Sequence, residues 1–307
     1  MKKREFLGLD SVEIRVGRID LIVSKSVGPR ILSLSINGGN NIFAELPNLF
    51  LEYPGEENFC FYGGHLLWCG PEDPFIPYKP DSQPIHIRKT NQSIELIQKI
   101  DPISGVQKTI KIRPTNYDTI LTIDHYIQNV KGKHSFQCAP WAITQLKLGG
   151  EAIIPQQLHE VEPNSLLPDR SIILWPYSDI NDSRINWNNQ FINIHAQPIE
   201  KALKIGITNY QKWMAYFYDN LLFIKYANNY ASTQLIDFGA TSQFYINSKF
   251  VELETLAPLA DIKPGERIRH REVWRVVENP FNYSPDTVKD FFDNDQMTDI
   301  CRELLLQ

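Results

Sequence analysis

Thr119-Ile-Leu-Thr-Ile-Asp-His-Tyr-Ile-Gln128 and Ile268-Arg-His-Arg-Glu-Val-Trp-Arg-Val-Val277 decide the fold class. Both alternate apolar with polar residues, which is the period of a half-buried strand and not of a helix. Working outward, Val12–Val23 and Gln107–Arg113 carry the same alternation. Turn signals separate such runs: Asn37-Gly-Gly-Asn-Asn41, Ser104-Gly105, Asn116, Lys131-Gly132, Gly149-Gly150 and Pro264-Gly265. That spacing predicts antiparallel β-structure throughout, a sandwich or barrel. Only the end of the chain breaks the pattern. Ser284-Pro-Asp-Thr-Val-Lys-Asp-Phe-Phe292 begins with an N-cap serine and a proline at the first helical position, and Val288, Phe291 and Phe292 recur at helical spacing.

The chain has 307 residues, 42% hydrophobic and 22% charged, the composition of an ordinary globular protein. No internal repeat, low-complexity tract or Pro/Gly/Ser linker divides it, so one large β-domain over residues 1–283 is expected, with a helical segment over 284–307 packed on it. A net charge of −5 without a basic run argues against nucleic acid. The N-terminus lacks the apolar core of a secretory signal, and no stretch has the length of a membrane span. Cys60, Cys69, Cys138 and Cys301 are therefore expected as reduced thiols of a cytoplasmic protein, with no structural disulfide. Prolines 71, 74, 77, 80 and 84 make the stretch after Trp68 a long irregular loop, and such loops are often functional.

The common nucleotide-binding, hydrolase and zinc-protease motifs are absent, so any chemistry comes from dispersed residues. Cys60-Phe-Tyr-Gly-Gly-His-Leu-Leu-Trp-Cys-Gly-Pro-Glu72 is the densest cluster. Cys60, His65, Cys69 and Glu72 are zinc-compatible, but their spacing fits no zinc motif, and small buried cysteines are the simpler reading. No metal and no cofactor are expected. Glu252 and Glu254, two apart in a strand, point to one face while Val251 and Leu253 point to the other. That acidic face is either solvated, which periodicity alone favours, or the floor of a polar cleft.

Leu253-Glu-Thr-Leu-Ala-Pro258, Lys263-Pro-Gly-Glu266 and Val273-Trp-Arg275 together resemble the C-terminal motif of the aldose 1-epimerases, in the galactose mutarotase-like superfamily. Tyr62-Gly-Gly-His-Leu-Leu-Trp68 is similar to the family's substrate loop, and Gly28-Pro-Arg-Ile31 looks like its opening strand. Trp141–Gln145, Leu174–Ser178 and Trp213–Tyr216 resemble segments of a bacterial branch, so the likeness spans most of residues 10–278. It implies a β-supersandwich with a carbohydrate cleft on its concave sheet, Glu254 as general base and His65 as acid. One departure stands out. Where the family places a second histidine, this chain reads Cys138-Ala-Pro-Trp-Ala-Ile-Thr-Gln145, and His159 is a weak substitute in a loop.

Mutarotation opens a hemiacetal, so a base takes the anomeric O–H proton while an acid protonates the ring oxygen. Glu252, beside Glu254, would raise its neighbour's pKa or bind hydroxyls. Trp68, Trp141 and Tyr62 are candidate stacking faces, although aromatics in sandwiches are more often core. Arg30 is a candidate hydroxyl fork or a surface cap. Lys225 reads either as an ammonium in the cleft or as an edge lysine reaching for solvent. Arg184 reads as part of a solvated turn. His125, His134, His195 and His270 receive no role. A small carbohydrate is the expected partner, handled by aldose 1-epimerase-type chemistry; a non-catalytic sugar-binding protein on the same fold is the alternative.

Overall fold

The two deciding runs lie side by side. Ile120–Asn129 and Arg267–Glu278 pair antiparallel, from Ile120 opposite Arg275 to Gln128 opposite Arg267. This computed structural model describes residues 1–52, 58–72, 81–156, 166, 168–230, 234–278, 280, 282 and 284–307. They form two antiparallel sheets. The twelve-stranded sheet runs Lys2–Phe6, Leu9–Val16, Ile19–Ser24, Arg30–Ile36, Phe59–Gly70, Phe136–Leu146, Val251–Leu256, Ser242–Ile246, Leu203–Ile207, Ile172–Leu174, with Glu45–Leu51 and Ala260–Ile262 paired alongside. The ten-stranded sheet runs Ile185–Trp187, Phe191–His195, Glu151–Pro155, Trp213–Tyr218, Leu221–Ala227, Arg267–Glu278, Ile120–Asn129, Val106–Pro114, Ile94–Ile97, His86–Lys89.

The alternation over Val12–Val23 is two strands, not one. Val16 pairs with Ile19, so Gly17 and Arg18 make a two-residue turn that keeps the alternation in phase on either side. Gly17 takes φ +57°, and a Cβ there would stand 2.3 Å from the Asp118 carbonyl oxygen, so glycine is required.

The inward faces of both sheets enclose the main core, with Leu21, Leu34, Phe43, Ile112, Phe223, Leu253 and Trp274 among its members. The helical end of the chain is two helices, Pro285–Asp293 and Gln296–Leu306. Ser284 caps the first, its Oγ accepting the Thr287 N–H at 3.2 Å. Val288, Cys301 and Leu305 pack on Trp213, Leu222 and Ile224, which covers the outer face of the ten-stranded sheet. The outer face of the twelve-stranded sheet carries a separate small apolar cluster, Leu66, Trp141, Ile143 and Leu256, with Trp68 and Ile236 against it.

The cysteine expectation is corrected. Cys69 and Cys138 form a disulfide with Cα atoms 5.5 Å apart, while Cys60 and Cys301 are free. The cause is register: Cys69 pairs with Pro140, which sets Cys138 diagonally beside it. The bridge removes the reduced-thiol argument for a cytoplasmic location and takes Cys69 out of any metal set. Among the described residues no helix is long and apolar enough to cross a membrane.

Candidate functional site

Directly paired residues of neighbouring antiparallel strands share a face, so the registers map the outer surface of the twelve-stranded sheet. One row reads Arg30, Leu66, Ile143, Glu254, Gln243, Gly206 across six strands. The next reads Gly64, Gln145, Glu252, Tyr245, Lys204. A third holds Trp68, Trp141 and Leu256. Both carboxyls, two of the expected aromatics and Arg30 therefore stand on one side of one sheet.

This face is not solvated. Glu254 is fully buried, and its Oε2 accepts from the Trp141 indole N–H at 2.8 Å and from the Lys204 ammonium at 3.0 Å. Lys204 lies 4.6 Å from the Trp141 ring centroid and 4.8 Å from that of Trp175, an ammonium between two indole faces. Glu252 Oε1 accepts from Gln145 Nε2 at 2.8 Å. Three buried oxygens on the face have no hydrogen-bond partner: Glu254 Oε1, Gln145 Oε1 and Gln243 Oε1. Unpaired buried polar atoms are costly, so three acceptors side by side invite a ligand rich in donors.

Burial pushes the Glu252 carboxyl up to about 8, helped by the nearby Glu254 charge. Burial also raises Glu254, against the pull of Lys204 and the Trp141 N–H. Two adjacent carboxyls in a site largely withdrawn from water do not both ionise at neutral pH. Since Lys204 and Trp141 both favour a charge on Glu254, the proton resides on Glu252 at neutral pH. Burial and the same carboxylates raise the phenols of Tyr177 and Tyr245, so both stay protonated.

His65 is not here. It pairs with Thr144 opposite Ile143's face and points into the sandwich, where its Nε2 is 2.7 Å from His125 Nε2 on the other sheet. The expected convergence of His65 with Glu252 and Glu254 fails because of register: Gly64 and Leu66 lie opposite the outward Gln145 and Ile143, and His65 lies opposite the inward Thr144. Lys225 is corrected likewise: its ammonium is buried between the sheets, 2.9 Å from Glu272 Oε1, and donates to Thr144 Oγ1 and the carbonyls of Ala142 and Leu253.

These residues form a buried polar network with every group engaged. The His125 Nδ1–H donates to the His270 carbonyl at 3.1 Å, which leaves His125 Nε2 to accept from His65 Nε2–H. His270 Nε2 bonds Thr255 Oγ1 at 2.7 Å, and Trp274 Nε1 donates to Glu272 Oε2 at 2.8 Å. His65, His125 and Glu272 bring ligand atoms within 4.8 Å of one another, but an ammonium, an indole and their own hydrogen bonds already occupy those atoms. The set Cys60, His65, Cys69 and Glu72 does not gather, with Cys69 bridged and His65 inside.

Arg184 is also corrected, from a solvated turn to a buried side chain whose Nε and Nη2 grip Asp182 at 2.9 and 2.7 Å. Tyr62 and Trp68 are partly exposed, and the Arg30 guanidinium lies 5.7 Å from the Tyr62 ring centroid. His159 and prolines 74, 77 and 80 lie outside the described residues. Sequence reasoning missed Lys204 and gave no role to Trp175, Gln145 or Gln243. The signal was Leu203-Lys-Ile-Gly-Ile207: a glycine on the outward face of a strand marks a close approach, and a Cβ on Gly206 would stand 3.2 Å from Trp175 Cζ3. A surface depression elsewhere, lined by Arg18, Tyr117, Asp118, Arg275 and Met297, includes neither carboxyl.

No protein-family model and no curated protein matches the chain. Solved structures do. A galactose mutarotase-like protein from Lactobacillus casei superposes with a TM-score of 0.55 at 9% identity, covering 87% of this chain and 100% of that one. A candidate mutarotase from Salmonella typhimurium gives 0.56 at 12%, covering 90% and 93%. A TPR-domain containing protein from Parabacteroides distasonis gives 0.59 at 12%, covering 89% of this chain and 48% of that one. The chain has the galactose mutarotase-like fold.

Proposed function

We propose that the outer face of the twelve-stranded sheet around Glu252 and Glu254 binds a carbohydrate and opens and recloses its hemiacetal, the chemistry of an aldose 1-epimerase. The observation that carries this reading is the carboxyl pair, Glu254 buried and Glu252 half-buried, with Glu254 Oε1 unpartnered beside Trp141 and Lys204. Glu254, as carboxylate, takes the anomeric O–H proton through Oε1. Glu252, protonated, gives its proton to the ring oxygen as the C1–O5 bond breaks and the aldehyde forms. Rotation about C1–C2 and the reverse transfers close the other anomer and restore both carboxyls, so the cycle needs neither metal nor cofactor. Gln145 Oε1 and Gln243 Oε1 accept sugar hydroxyls, and Trp141, Trp175, Trp68 and Tyr62 offer faces to C–H surfaces.

A second reading, a non-catalytic sugar-binding protein, is favoured by one observation: His65, the imidazole expected as acid, points into the core. One experiment separates the two. Glu254→Gln keeps shape and removes the basic oxygen, so across a panel of aldoses affinity by calorimetry persists while anomer exchange by NMR slows roughly 100-fold. Wild-type binding without acceleration of exchange selects the binder, and no binding of any aldose sinks the proposal.

A further inference from the structure

Arg30 stands in the Glu254 row and is buried. Its Nη1 is anchored by the carbonyls of Phe61 at 2.6 Å and Gly63 at 3.1 Å. Its Nε and Nη2 are buried with no hydrogen-bond partner. That edge of a guanidinium presents two parallel N–H donors matched to the two oxygens of a carboxylate or phosphate. The same molecule shows what the edge does when filled. Arg15 holds Asp20 through Nε and Nη2 at 2.6 and 2.8 Å, Arg170 holds Asp169 at 2.9 and 2.7 Å, and Arg271 holds Asp124 at 2.6 and 3.0 Å. Arg30 alone of these has an empty fork, in the most enclosed setting, where an unpaired charge costs most.

Of the acids near Arg30, Asp81 acts on it most strongly and Glu252 more weakly. Asp81 Oδ1 takes the Lys108 ammonium at 2.5 Å, while its Oδ2 is buried without a partner, so Asp81 is the carboxylate that competes within the chain for this fork. We propose that the Nε–Nη2 edge of Arg30 is an oxyanion subsite on the Glu254 face, so that the saccharide received there bears a carboxylate or a phosphate. This rests on the carbohydrate reading above and narrows it from sugars in general to acidic ones.

The test is calorimetry with glucose, glucuronate and glucose 6-phosphate, and with galactose, galacturonate and galactose 6-phosphate, on the full chain. The expected result is that an acidic member binds roughly tenfold or more tighter than its neutral parent. The uronate and phosphate arms identify which oxyanion fits. Arg30→Gln and Arg30→Lys both lose that preference, Lys keeping the charge without the fork, while Glu254→Gln retains it. Asp81→Asn removes the competing carboxylate and strengthens the preference. Neutral parents binding as tightly as the acids, or a preference that survives Arg30→Gln, overturns the subsite and leaves the carbohydrate reading standing. If Arg30→Gln and Asp81→Asn lower the unfolding midpoint equally and neither alters the acid-to-neutral ratio, the fork serves Asp81 and the proposal is overturned. Binding of no sugar at all overturns the carbohydrate reading itself.

Discussion

The Lys204 ammonium lies 3.0 Å from Glu254 Oε2, with both side chains buried and the two indoles of Trp141 and Trp175 around the cation. An ion pair in such a place is balanced, and removing one member leaves the other charged and dry. Lys204→Met is expected to cost about 3 kcal/mol in urea unfolding. The double variant Lys204→Met with Glu254→Gln should recover much of that, because no charge is stranded. A single-variant cost below about 1 kcal/mol, the value of an exposed pair, would contradict the burial.

Glu252 gives a pH signature of opposite sign to an ordinary ion-paired acid. Its folded carboxyl is pushed up to about 8, so the folded chain keeps a proton that the unfolded chain releases above its ordinary 4.5. The stability this group contributes is full below 4.5 and is lost as pH rises through about 8. Glu252→Gln abolishes that loss. Relative to wild type it should be more stable at pH 8 by on the order of 4 kcal/mol, with the advantage gone by about pH 4.5. Parallel urea titrations at the two pH values check this; an equal difference at both refutes the raised carboxyl.

Period-two alternation was enough to read the sheets, because Ile120–Asn129 and Arg267–Glu278 each have one face on the core and one on the outer layer. The same alternation could not tell a strand pair joined by Gly17 and Arg18 from one long strand. For the site, parity put Glu252 and Glu254 together correctly, but whether their face was wet depended on Trp141, Trp175 and Lys204, up to 113 positions away in sequence. His65 was misplaced for a related reason. Tyr62, Gly63 and Gly64 all take positive φ, so the direction of the next side chain cannot be read from alternation; the pairing of His65 with Ile31 and Thr144 fixes it inward. Lys225 and Glu272 are invisible as a pair until Leu221–Ala227 and Arg267–Glu278 are known to be neighbours.

Gly206 tests whether the indole clamp matters. A Cβ there would meet Ala240 Cβ at 3.0 Å and Trp175 Cζ3 at 3.2 Å, so a larger side chain must displace the indole that covers this row. Gly206→Val is expected to cost about 1–3 kcal/mol through overpacking and to weaken sugar affinity roughly tenfold. Gly206→Ala should show a smaller change in the same direction. Tryptophan fluorescence follows the displacement and calorimetry the affinity. Unchanged affinity with a shifted emission spectrum would place Trp175 outside the ligand's reach.

The buried histidines should make the fold acid-labile in a defined window. Burial drives His125 and His270 down to about 3 and His65 well below its ordinary 6.5, so all three are neutral in the folded chain at pH 7. The unfolded chain protonates each near 6.5, and the folded chain does not follow until about pH 3 for His125 and His270. Stability from these groups is therefore complete above 6.5 and drains as pH falls toward 3, by about 1.4 kcal/mol per pH unit for each histidine. Glu252 works the other way over part of this range, so the cleanest background is Glu252→Gln. In it the urea midpoint should fall steeply from pH 6.5 to 4.5, and His125→Gln or His270→Gln should each lower the slope by about 1.4 kcal/mol per pH unit, whatever their cost at pH 7. A midpoint that stays flat across that interval would mean the histidines exchange protons freely in the folded state, and the closed network joining His65, His125 and His270 would be wrong.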